Sequence, residues 1–170
     1  MGMTVYAVPL DYPEEERRQR AVEESGALKA SNDPTLRLLV EEARDAFQVA
    51  MGAISIVYGD WQFLIATAGF PGGPYSRRTS FCGHAILSEA RVFCVPDALK
   101  DPRFAENPSV RDHLVRFYAG APLINEEGLP LGALCVFDPH PRDCLPAFQE
   151  KRLPMPVSYT HLTLPTILRV

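Results

Sequence analysis

Apolar positions recur along the chain at two different periods, and the switch between them marks out the elements. From Asp33 to Ala50, the residues Leu36, Leu39, Val40, Ala43, Phe47 and Ala50 fall three and four apart, the spacing of one face of a helix. Asp33 is placed to cap it, and Pro34 to fill its first position, where φ is already set and a missing N–H costs nothing. Glu41, Glu42, Arg44 and Asp45 fall mostly on the other face, so the apolar stripe needs a sheet to cover. Next come AISIVY at 53–58 and WQFLIATA at 61–68, β-rich runs on either side of Gly59-Asp60, which predict a hairpin. GFPGGP at 69–74 then breaks regular structure.

The middle of the chain is less regular. CGHAILSEA at 82–90 predicts a short helix with Ser80 as its cap and Ile86 and Leu87 facing inward, and RVFCV at 91–95 a short strand. PDALKDPRFAENPSV at 96–110 is polar and proline-punctuated, a structured loop or a series of short helical turns. Residues 116–138, RFYAGAPLINEEGLPLGALCVFD, are two apolar runs joined by a turn at Asn125–Gly128. Phe117, Ala119, Ala121 and Leu123 share one face of the first strand, and Tyr118, Gly120, Pro122 and Ile124 the other. In the second, Leu131, Ala133, Cys135 and Phe137 alternate with Gly132, Leu134 and Val136. Neither face is polar, so the pair is covered on both sides. Pro122 cannot donate to a ladder and implies an edge position or a bulge.

The 33–50 helix covers one face. The 70–115 region is left to cover the other. A sheet roofed by a loop-rich layer encloses a ligand cavity or is plugged by side chains, and the pattern alone leaves both open. Which of Phe117 and Tyr118 joins the helix-covered core is likewise not set by parity.

Both ends are unlike the middle. Asp11–Glu24 packs six acids and three arginines into fourteen residues with few apolar positions. Pro13 followed by three glutamates reads as a helix start, predicting an exposed helix or linker able to pair with a partner helix. PAFQEKRL at 146–153 begins like another helix, but 154–170 has no period and resembles translated sequencing adaptor. The expected division is a charged helix or linker at 1–30, one domain at 31–153, and a non-native tail at 154–170.

Composition narrows the classes. The 170 residues suit one domain, and 46% apolar content is enough for a core. A net charge of −4 with no basic stripe argues against nucleic acid as a partner. The N-terminus lacks a signal-peptide pattern, and no apolar run reaches the roughly eighteen residues of a membrane span. A cytoplasmic domain, or a fragment of a larger protein, is expected, with no direct membrane insertion. Cys82, Cys94, Cys135 and Cys144 form no CxxC pair, so neither a zinc knuckle nor a thioredoxin-type motif is supported. Cys94 and Cys135 sit in apolar runs and read as buried small hydrophobes.

Four blocks carry a family resemblance: SFCGHAI at 80–86, VPDALKDPRFAENPSV at 95–110, RFYAGAPL at 116–123 and GLPLGALCVFDPHPR at 128–142. Together they resemble a GAF domain of the kind found in bacterial sensor histidine kinases and diguanylate cyclases, over roughly residues 30–153. The resemblance implies an α+β fold: a central antiparallel sheet of five or six strands, helices on one face, and a loop-rich pocket layer on the other. It implies a small-molecule-sensing regulatory module without catalysis of its own, dimeric through its terminal helices, and coupled to an output domain in the native gene. No cofactor is expected. Gly83 separates Cys82 from His84, which speaks against bilin attachment, and the NKFDE pattern of cyclic-nucleotide binders is absent. Two alternatives stand beside this reading: a thiol-based enzyme resembling free methionine sulfoxide reductase, using Cys82, Cys94 and Cys135, and a ligand-free dimerisation scaffold.

The ligand-binding candidates are Phe81, Cys82, His84, Asp97, Asp101, Arg103, Phe104, Arg116 and Tyr118. Cys82 and His84 could contact a ligand, or serve structure as a packed thiol and a hydrogen-bonded imidazole. Two such groups are too few for a metal site. Asp97 and Asp101 could form a carboxylate pair; alternatively Asp101 caps a local turn and salt-bridges Arg103. Arg103 or Arg116 could instead reach an anionic ligand. Phe81, Phe104 and Tyr118 could line a pocket or fill the core.

Overall fold

The computed structural model describes residues 5–90 and 92–144. Its helices are α1 (Glu15–Ser25), α2 (Pro34–Phe47), α3 (Phe81–Ala85) and α4 (Pro108–Arg111). Its strands are β1 (Met51–Tyr58), β2 (Trp61–Ala68), β3 (Gly73–Ser76), β4 (Phe93–Val95), β5 (Phe117–Ile124) and β6 (Pro130–Asp138). All six strands form one antiparallel sheet in the order β3-β2-β1-β6-β5-β4.

Helix α2 starts where the sequence predicts. The Asp33 carboxylate accepts from the Thr35 and Leu36 N–H groups at 2.8 and 3.3 Å, satisfying donors that the first turn leaves without partners. It ends at Phe47, three residues before the predicted limit, because Gln48 takes a left-handed conformation with φ 53°. Ala50 is therefore no part of the helical stripe. It is exposed, and its N–H donates to Asp138 at 2.8 Å.

The expected 53–58 and 61–68 hairpin is present as β1 and β2, with Gly59 at φ 59° in the turn. Each of the two long hairpins contains one extra residue. Ile54 pairs with Ala66 but Ser55 with Leu64, so Ile65 is unpaired; Leu123 pairs with Gly132 but Ile124 with Pro130, so Leu131 is unpaired. Such bulges turn a side chain to the other face. Leu131 consequently packs on the helix side, away from Ala133, Cys135 and Phe137, with which simple alternation groups it. Pro122 lies beyond the β4 pairing, which runs from Phe93↔Gly120 to Val95↔Tyr118, and one residue from the bulge. Both features that a strand proline implies are found there.

The sheet separates two cores. On the helix side, Leu36, Leu39, Val40, Ala43 and Phe47 of α2 and Val22 of α1 meet Ile54, Ile56, Phe117, Ala119, Leu134 and Val136. Full burial of each large apolar side chain contributes roughly 1.5–3 kcal/mol. On the other side, Ala53, Val57, Tyr118, Ala133, Cys135 and Phe137 meet Phe81, Cys82, Ala85, Ile86, Phe104, Val110 and Val115. Phe117 thus belongs to the helix side and Tyr118 to the loop layer. That layer is the 70–115 region, as the two apolar faces of β5 and β6 require.

Three local readings are corrected. GFPGGP does not only interrupt structure, since its last two residues open edge strand β3. The helix expected over 82–90 is confined to Phe81–Ala85. Cys94 forms a disulfide with Cys144, with Cα atoms 6.3 Å apart, rather than acting as a buried hydrophobe. The chain after β6 returns along β4, where Arg142 N–H donates to the Pro96 carbonyl at 3.0 Å; a separation of 50 residues gives no hint of that approach.

Helix α1 is docked rather than exposed. Arg18 is fully buried. It pairs with Glu15 at 2.8 Å and donates to the Pro130 and Leu131 carbonyls at the β6 bulge. Glu15 also accepts from Arg77 at 2.6 Å. The expected helix start at 146–153 and the tail at 154–170 lie outside the described residues. Among the described residues, no helix is long and apolar enough to cross a membrane.

Candidate ligand cavity

Ser80 and the strand alternation together shape the site. The Ser80 hydroxyl accepts from the Gly83 N–H at 2.9 Å and starts α3 over the sheet, setting Phe81 and Cys82 facing β5 and β6. Tyr118 lies along β5 above Gly120, where a Cβ would fall 2.3 Å from its hydroxyl oxygen; glycine leaves the ring room to lie flat. Phe81 stacks on Tyr118 at 5.1 Å and on Phe104 at 4.4 Å.

Between this aromatic stack and the β2–β3 end of the sheet lies a cavity of about 80 Å³. Its buried end is formed by Phe81, Cys82, Val115, Tyr118, Cys135 and Phe137. Half-buried Gln62, Leu64, Phe70, Tyr75, Thr79 and Ser109 complete it toward solvent. The volume holds several waters or one small molecule and is below the range of drug-sized pockets. No Asp, Glu, Lys, Arg or His lines it, so the polar groups on offer are hydroxyls, one amide and two thiols.

Those thiols are in contact. Cys82 Sγ lies 3.1 Å from the Tyr118 hydroxyl and 3.9 Å from Cys135 Sγ, and both cysteines are free. Contact with Cys135, and then with Tyr118 and Ser55, draws the Cys82 thiol down against the opposing effect of burial. The Cys82 contact and burial push Cys135 up, and burial above all pushes Tyr118 up.

The sequence candidates divide sharply. Phe81, Cys82 and Tyr118 line the cavity. Phe104 stands behind Phe81, and His84 meets Phe104 edge-on at 5.0 Å. His84 Nε2 donates to the Ala7 carbonyl at 3.1 Å, and burial holds its pKa below the usual imidazole value. Gly83 gives the same N-terminal segment its clearance, since a Cβ there would meet Pro9 at 2.8 Å.

The four charged candidates are occupied with one another. Arg103 forms a two-pronged pair with Asp101 at 3.0 and 2.7 Å, its guanidinium over the Phe93 and Phe104 rings. Arg116 forms another with Asp97 at 3.0 and 2.7 Å. Each carboxylate faces its own arginine rather than the other carboxylate, and each is held below its ordinary range by that arginine. None of the four lines the cavity.

Among the lining residues, Phe137, which sequence reasoning did not propose, and Cys135, proposed only for the thiol-based alternative, had a usable signal. They alternate with Leu134 and Val136, and Phe137 pairs directly with Tyr118. Gln62 and Tyr75 face each other across β2 and β3, a pairing hidden with the unforeseen strand.

The GAF domain family model matches residues 31–155. A cyclic di-GMP phosphodiesterase of Pseudomonas aeruginosa is 44% identical over 133 residues, which are 77% of this chain and 22% of that protein. The chain therefore corresponds to a minor part of that relative's length. The GAF domain of an Acinetobacter phosphoenolpyruvate-protein phosphotransferase superposes with a TM-score of 0.62 at 17% identity, covering 91% of this chain and 92% of that one. A type II free methionine-R-sulfoxide reductase from Thermoplasma acidophilum gives 0.59 at 12% identity, covering 87% and 94%. These two likenesses concern the fold. With its α+β architecture and the family match over most of its length, this chain belongs to the GAF domain family.

Proposed function

We propose that this chain is a small-molecule-sensing regulatory module of a larger bacterial signalling protein, without catalysis of its own. The observation that carries the reading is the cavity beneath the loop layer, on the sheet face opposite α1 and α2. Its size and uncharged lining favour a small neutral ligand with one hydrogen-bonding group. The identity with a stretch of a cyclic di-GMP phosphodiesterase supports placement beside an output domain. In this reading residues 1–30 are the connector, 31–153 the sensor and 154–170 non-native. The protein is cytoplasmic and dimerises through its terminal helices, for which Glu16, Arg20, Glu23 and Glu24 give α1 an exposed, charged outer face. A ligand acts on such a balance only through different affinities for its two arrangements.

The two alternatives fare less well. The reductase reading needs Cys82, Cys94 and Cys135 to cooperate, yet Cys94 packs against the helix-side core and is bonded to Cys144, across the sheet from the other two. The scaffold reading predicts a filled loop-side core.

Thermal denaturation with phenol and with benzoate, which share a ring and differ in charge, tests the ligand class. Phenol should raise Tm by a few degrees at saturation, and benzoate should not. Equal shifts for both, or none for either, count against a neutral-ligand site.

A further inference from the structure

The cavity has a second property that ligand binding does not use. Its buried end holds the two free thiols among the described residues. They come from opposite walls: Cys82 from α3 in the loop layer, Cys135 from β6 in the sheet. Their sulfurs are already 3.9 Å apart, and the Tyr118 hydroxyl, 3.1 Å from Cys82 Sγ, can donate to that sulfur. No Asp, Glu, Lys, Arg or His lines the cavity, and about 80 Å³ of space leads to them.

We propose that Cys82 and Cys135 form a peroxide-reactive dithiol, in which a small uncharged hydroperoxide entering the cavity oxidises the pair to a disulfide that staples the loop layer to the sheet. The geometry selects the reagent. Hydrogen peroxide is little larger than water and carries no charge. A peptide disulfide such as oxidised glutathione is too large and too charged to enter. Cys82 is the attacking member, because the Tyr118 hydroxyl can donate to its sulfur and stabilise negative charge there; its lowered pKa is in keeping with this.

In the first step the Cys82 sulfur attacks one peroxide oxygen. The S–O bond forms, the O–O bond breaks, and the departing oxygen takes up the Cys82 proton as water. The sulfur is oxidised by two electrons to a sulfenic acid. In the second step the Cys135 sulfur attacks Cys82 Sγ. The S–S bond forms, the S–O bond breaks, and hydroxide leaves with the Cys135 proton as a second water. Two thiols and one hydrogen peroxide thus give one disulfide and two waters.

The proposal needs an open cavity but no bound ligand, so it stands or falls separately from the phenol result. Its test is peptide mapping of the full chain, folded, after stoichiometric hydrogen peroxide and then alkylation. The expected product is a Cys82–Cys135 crosslink, formed with peroxide and not with oxidised glutathione. In Cys135→Ser or Cys135→Ala the reaction should stop at a Cys82 sulfenic acid, trapped by a dimedone probe; the melting curve of each variant shows whether it is folded. Tyr118→Phe should slow crosslinking by at least about tenfold, the low end of the value of one hydrogen bond to a charged group. If both thiols stay unmodified in the folded protein and oxidise only after denaturation, the proposal is overturned. Equal crosslinking by oxidised glutathione overturns it as well, since the cavity would not be the route.

Discussion

At the residue scale, charge is handled in two places by different means. Glu15 sits between Arg18 and Arg77, with side-chain exposure of 16% against 0% and 7% for the arginines. Burial opposes its charge, but hydrogen bonds from Arg18, Arg77 and Gln19 outweigh burial and hold its pKa well below the ordinary 4.5. Asp138 is also buried, yet the His140 and Ala50 N–H groups, each at 2.8 Å, bring it below its ordinary value. Both carboxylates are depressed on folding. Their contribution is therefore fully present above their unfolded pKa values and is lost as pH falls through the folded ones. Glu15→Gln would leave buried Arg18 without its anion and Arg77 with only the exposed Asp11 carboxylate at 3.9 Å. It should cost about 3 kcal/mol, seen as a fall in Tm of roughly 6–12 °C at pH 7, with a shallower loss of stability on acidification than the parent shows. A change below about 0.5 kcal/mol would mean the cluster is solvated rather than structural. Nothing in the run of charges at 11–24 distinguishes Arg18 from Arg17 or Arg20. Its burial follows from where the β6 bulge presents two carbonyls, which a linear pattern does not encode.

At the element scale, the devices written locally are the ones the sequence reveals. Asp33-Pro34 announces the start of α2, Ser80 that of α3, and Gly59 the β1–β2 turn, because each acts on atoms within a few residues of itself. The two bulges are silent. One extra residue in an apolar strand leaves the strand apolar, and only the partner's register exposes it. The close approach of β1 and β6 shows at Gly132, where a Cβ would lie 1.8 Å from the Ser55 carbonyl oxygen and 2.9 Å from the Ile56 Cα. These are backbone atoms of a central strand and cannot move aside as a side chain would. Gly132→Ala should thus destabilise by at least about 3 kcal/mol in a chemical-denaturation series, whereas Gly128→Ala, in the open turn, should cost less. Comparable losses at the two sites would show that β1 and β6 are not held this closely.

For the whole molecule, the decisive inference from sequence is that β5 and β6 are apolar on both faces. One helix cannot cover both, so a second layer is required, and the remaining chain places it at 70–115. That much of the architecture, and three of the cavity's residues, were legible. The charged candidates were not separable in advance, because Arg103 and Arg116 near a pocket look alike whether they await an anion or already hold Asp101 and Asp97. Three-dimensional pairing removes them and leaves a site whose walls are aromatic, aliphatic and thiol. Such walls suit small neutral molecules. Chemical-shift mapping of phenol on the parent chain and on Ser109→Phe, chosen to fill the half-buried end of the cavity, decides whether such molecules occupy this space. Shifts should concentrate at Phe81, Tyr118 and Phe137 in the parent, and binding should be at least about tenfold weaker in the variant, with unchanged folding. Phenol shifts scattered over the surface, or equal binding by both proteins, would contradict that occupancy.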